Sequence, residues 1–171
     1  MSAAAPGAVS QVEGFRHMAR LTDIVLHANL AGVTQEESLA QPEPAGNCLN
    51  WVVGHLACIG NNALPLVGQE PVVDPATLAR YDRGSAAMTD PAEARDVHEL
   101  LGIWDQVATR WDAGLAGLTP EAMEQPAPFS PGGDPNETVG SLVATLVFHQ
   151  GYHVGQTGVL RRVSGHPGAI Q

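Results

Sequence analysis

Phe148-His149-Gln150-Gly151-Tyr152-His153-Val154-Gly155-Gln156 sets two histidines four residues apart. On a helix this spacing stacks the side chains one turn above each other, with Cβ atoms roughly 6 Å apart, so both imidazoles can converge on one ion. Working outward, Leu142, Leu146, His149, His153, Gln156 and Leu160 recur at three- and four-residue intervals, the inward seam of a packed helix. The histidines then point into a core, where a polar ring needs a partner. Gly151, Gly155 and Gly158 lie in the same helix although each costs about 1 kcal/mol relative to Ala. A close neighbouring backbone would explain them. Such a His pair alone is more often two hydrogen-bonded core histidines than a metal site, so a third ligand decides.

Asn47-Cys48-Leu49-Asn50-Trp51-Val52-Val53-Gly54-His55-Leu56 offers one, because Cys48, Val52, His55, Ile59, Asn62 and Leu66 repeat the seam spacing and turn His55 inward. Trp51-x-x-x-His55 on the second helix, joined with His149-x-x-x-His153-x-Gly155-Gln156 on the last and followed by Arg161 and Gly165, resembles the DinB-like superfamily of small helical metalloproteins. The order and separation of the helices fit that family over nearly the whole chain. The resemblance implies His55, His149 and His153 as ligands of one divalent metal ion. It also implies an enzyme, since characterised relatives include thiol transferases and isomerases using low-molecular-weight thiols, and many others are called hydrolases.

At 171 residues the chain reads as a single domain over 1–171, with 1–9, rich in Ala, Pro and Gly, loose. With 8 Arg, no Lys and 18 acidic residues the formal charge is −10, which repels a duplex phosphate backbone and argues against nucleic acid. No stretch reaches the ~20 apolar residues of a membrane span, and Met1 to Ser10 has no basic secretory start, so a cytoplasmic location is expected by elimination. Cys48 and Cys58 sit ten residues apart on one helix, roughly 15 Å along it, too far to pair, and read as buried small apolar residues.

Start and stop signals divide the chain into four long helices and several short ones. Ser10 and Glu13 open the first, which runs to about Ala31 with Phe15, Met18, Leu21, Ile24, Val25 and Ala28 as its apolar stripe. Thr34 and Glu37 cap a short turn, and Asn47 starts a second helix ending near Gly68. About twenty residues follow, long enough for a crossover, so the third helix need not be an antiparallel neighbour of the second. Asp90-Pro91-Ala92-Glu93 and Asp134-Pro135-Asn136-Glu137 signal the starts of the third and fourth helices, and Asp74-Pro75 and Thr119-Pro120 of short turns. The third carries Val97, Leu100, Leu101, Trp104, Val107, Trp111 and Leu115 as core wall. The expected fold is all-α, a four-helix bundle with a long connection between helices 2 and 3.

Three neutral imidazoles leave a divalent ion with an open position. Zinc and nickel come first for such a site, with iron, manganese or cobalt also suited. Gln156 and Asn62 are candidates for pocket or outer-sphere positions, each weighed against a plain buried amide, and Trp51 for bracing His55. Tyr152 points off the seam and is given no proton-transfer role, while His27 is the reserve fourth ligand. The leading expectation is activation of water or a small thiol toward a small-molecule electrophile, in a chain that forms a homodimer. The alternatives are a non-catalytic metal or small-molecule binding bundle and a stress-related structural protein.

Overall fold

Why these residues form these elements is clearest at the caps. In the computed structural model, which describes residues 10–170, α1 spans Gln11–Leu30, with the Ser10 side chain accepting from the Glu13 amide. The reciprocal capping box at Thr34 and Glu37 opens α2, Gln35–Ser38. Then come α3, Leu49–Ala63, α4, Val97–Ala116, α5, Pro120–Met123, and α6, Val139–Val163. No strand occurs among the described residues, only an isolated bridge between Pro126 and Thr138. The fold is all-α, and the expected loose segment 1–9 lies outside the described residues.

The long helices α1, α3, α4 and α6 share one core that includes Leu26, Leu56, Leu100, Trp104 and Leu142, all nearly inaccessible. α1 packs on α4 and α6, and α3 packs on the same two helices, which closes the bundle. α3 and α4 run parallel. Asn50 Nδ2 reaches the Arg95 carbonyl at one end, and Gly114 lies against Val67 at the other. The long connection makes this direction possible. A 3₁₀ turn, Leu64–Val67, stops at Gly68 with φ 72°, and two further turns cover Pro75–Tyr81 and Pro91–Glu93.

Tertiary contacts moved several expected boundaries. α4 begins at Asp96, whose side chain accepts from the His98 and Glu99 amides, not at Asp90, which caps only the short turn. Arg95 is held between the two, its amide on Tyr81 Oη and its carbonyl on Asn50 and Gln35. Cys48, not Asn47, is the N-cap of α3, and Thr138, not Asp134, that of α6. The α1 stripe is also corrected: Phe15, Leu26 and Leu30 are buried, while Met18, Leu21 and Ile24 are exposed.

α6 is buried on two faces, which a single seam did not convey. Leu142, Leu146 and Leu160 face the core as expected, but Val143, Val147, Val154, Thr157 and Arg161 are buried too. On that second face Thr157 Oγ1 accepts from Asn29 Nδ2 at 2.9 Å. Arg161 donates to the carbonyls of Asn29 and Ala31, so it satisfies the C-terminal end of α1 instead of its own helix. A close backbone is not the reason for Gly151 and Gly155, since a Cβ at either would meet nothing within 4 Å.

Candidate metal centre

α3 and α6 bring His55, His149 and His153 together, with one potential ligand atom from each within 4.8 Å of the others. His55 is buried and the other two are half-buried. Their ring centroids lie 4.4 to 5.1 Å apart. His55 Nε2 and His149 Nε2 approach to 3.2 Å.

The orientation of the rings is built from outside the cluster. His55 Nδ1 lies 2.8 Å from the Tyr81 carbonyl, an acceptor only, so Nδ1 carries the proton and Nε2 presents a lone pair inward. His153 Nδ1 lies 2.7 Å from Gln156 Oε1, which directs its Nε2 the same way. Trp51 stacks on the His55 ring at 4.7 Å and 13°. The Tyr81 carbonyl reaches His55 because residue 54 has no side chain: a Cβ there would fall 2.1 Å from Tyr81 Cδ1.

Burial holds all three imidazoles below their ordinary pKa. His149 is pushed down to about 4, by burial first and then by His153, His55 and Arg83. All three are therefore neutral at pH 7, the state in which imidazole binds a metal. A group of inward lone pairs on neutral rings fits a divalent cation with a position left open.

The histidines sit in the wall of a cavity of about 910 Å³. Trp51 and Asn62 line it as well, although Asn62 is exposed at its rim and not a buried amide. The buried amide is its neighbour Asn61, whose Oδ1 accepts from the Val72 and Val73 amides and pins the connection to α3. His27 does not join the three histidines; it pairs with Asp105 at 2.8 Å, in an exposed group with Asp23. Cys48 and Cys58 are free and buried.

Asp82, Arg83, Phe129 and Tyr152 are among the cavity residues that the sequence did not point to. The first three stand on connections without periodicity, where no local signal points to a cavity. Tyr152 is off the seam, yet its ring meets His153 edge-on at 5.1 Å. No described helix is long and apolar enough to cross a membrane.

Comparison with known proteins agrees with this architecture. A conserved protein from Enterococcus faecalis, known from a crystal structure, superposes with a TM-score of 0.68 at 15% identity, over 94% of this chain and 98% of that one. No curated protein matches the chain. The family model of the DinB superfamily matches residues 18–157, a span that contains all three histidines. The chain belongs to the DinB superfamily.

Proposed function

We propose that His55, His149 and His153 hold one divalent metal ion, zinc or nickel before iron, manganese or cobalt, and that the chain is a metal-dependent enzyme acting on a small molecule. The reaction is hydrolysis or thiol transfer. The observation that carries this is the pair of Nδ1 hydrogen bonds, from His55 to the Tyr81 carbonyl and from His153 to Gln156, which leaves two Nε2 lone pairs converging beside His149. A proton on His149 Nε2 can bridge to His55 Nε2 at 3.2 Å, but that leaves His153 Nε2 without a donor among the described residues, whereas one cation serves all three rings.

Bound there, such an ion supplies Lewis-acid chemistry, acidifying a water to a pKa of about 7 or holding a thiol as thiolate. The chain supplies orientation, since Tyr81 and Gln156 fix two rings and Trp51 braces one. Metal content of protein made without a His tag tests the site. His149→Ala and His153→Ala should each lose most of the metal with an unchanged far-UV spectrum, because both side chains are only half-buried and the Leu and Val rows beside them stay intact. Equal metal in variant and wild type would remove the pair from the site. Turnover of a thiol with an electrophile, against turnover of esters and amides, separates transferase from hydrolase.

The homodimer belongs to the same reading, through the outer faces of α1 and α6. α6 carries no charged residue from Val139 to Leu160 in a chain of net charge −10, so two copies can approach there without repulsion. The charges of α1 are engaged elsewhere, Arg16 and Arg20 with Asp112 and Asp23 with Trp104, while Met18, Leu21, Ile24 and Val159 are exposed.

A further inference from the structure

Six of the eight arginines spend their guanidinium groups within the fold, on carboxylates or on backbone carbonyls. Of the other two, Arg162 lies in the last turn of α6, where a cation complements the helix end. Arg83 is different. Its side chain has no hydrogen bond or ion pair among the described residues, and it lines the cavity that holds the three histidines. The neighbouring Asp82 lines the same cavity and makes no ion pair with Arg83 among the described residues; its Oδ1 accepts from the backbone amide of Arg83, at 2.7 Å.

The apolar side of the cavity is equally selective. Phe129, Phe148 and Tyr152 are 51, 72 and 56% exposed; they are the exposed aromatic residues of the described chain, and all three line this one cavity. Exposing three aromatic rings is unfavourable unless something covers them. An unpaired cation beside a cluster of bare rings matches a molecule with the same two parts.

The geometry points to a specific substrate class: an amphipathic carboxylate whose aryl or alkyl body covers Phe129, Phe148 and Tyr152 while Arg83 receives its anionic end. Arg83 is then a specificity-determining residue. Among the lining residues it is the one arginine, set beside Asp82 without an ion pair to it, and a guanidinium fork suits a carboxylate. The inference rests on reading the cavity as the substrate pocket, as proposed above, but it does not require the metal.

Calorimetric titration of the full chain with 4-phenylbutyrate and with its neutral counterpart 4-phenylbutyramide tests it. A charged hydrogen bond predicts an acid-over-amide preference of about tenfold in the wild type. Because a carboxylate can also ligate a metal, the titrations are done on zinc-loaded and on chelator-treated protein. The preference should survive metal removal and fall below about threefold in Arg83→Met, whose exposed position leaves the fold intact. Phe148→Ala should weaken both probes in parallel. A preference retained in Arg83→Met, or lost with the metal, overturns the role of Arg83; failure of both probes to bind the wild type overturns the substrate class. A wild type that holds no zinc yet prefers the acid would sink the metal reading alone.

Discussion

His149 is the least supported of the three rings. His55 and His153 each have a protein acceptor for Nδ1, whereas His149 has none among the described residues and is placed by packing against the other two. Its pKa is pushed down to about 4, by burial first. Imidazoles depressed in the folded state contribute stability that is complete above the unfolded value, about 6.5, and lost as pH falls through the folded value. Metal-free protein should therefore lose melting temperature on acidification from pH 6.5 to 4. The increment added by metal should be present at pH 7.5 and vanish over the same window, since protons and metal compete for the same lone pairs. Melting curves of loaded and metal-free protein from pH 4 to 8, with bound metal counted at each point, check this. An increment unchanged at pH 4 would rule out imidazole ligation.

At the level of elements, α3 sets the site by what it lacks. Gly54 lets the Tyr81 ring approach, and the Tyr81 carbonyl then fixes His55. In Gly54→Ala the new methyl would overlap buried Tyr81, a strain of about 1–3 kcal/mol. The variant should unfold at lower urea concentration and bind metal more weakly. Gly151→Ala on α6 is the contrasting change: with open space at that position, it should stabilise the helix by up to about 1 kcal/mol and leave metal content unchanged. If both variants behave alike in urea, the close approach of Tyr81 is not what residue 54 provides. The same comparison shows why the expectation about Gly151 failed. Glycine in a helix is consistent with a close neighbour and with an open face, and only the packing of α6 tells which.

Across the whole molecule, the crossover between α3 and α4 places a connection over α3 and thereby makes a cavity, with Asp82 and Arg83 on one wall and α6 on the other. The proposed dimer leaves α3 and α4 free and joins the uncharged faces of α1 and α6. Light scattering at micromolar concentration should give twice the chain mass of 17.9 kDa. Leu21→Glu combined with Ile24→Glu should give the monomer, because both positions are exposed and the charge would be buried on association. A wild-type monomer at that concentration would count against the dimer.

Much of this protein is legible in its sequence because helix signals are local. Thr34 with Glu37 caps a helix whatever surrounds it, and the three- and four-residue rhythm around His149 and His153 turns both rings to one side of α6. His55 could be added because α3 repeats that rhythm and the paired motifs resemble the family. Local signals fail where distant groups compete for the same atoms. Asp90 has every mark of a long-helix start, yet Tyr81 and Asn50 hold Arg95 out of the helix and leave the start to Asp96. The α1 stripe departs from its expected burial because Met18, Leu21 and Ile24 keep helical spacing whether they face a core or solvent. What turns the His55 ring, and what stands across the cavity from it, depends on Tyr81, Asp82 and Arg83. These residues lie within the connection between α3 and α4, which has no period, and only the folding of that connection over α3 brings them to the histidines.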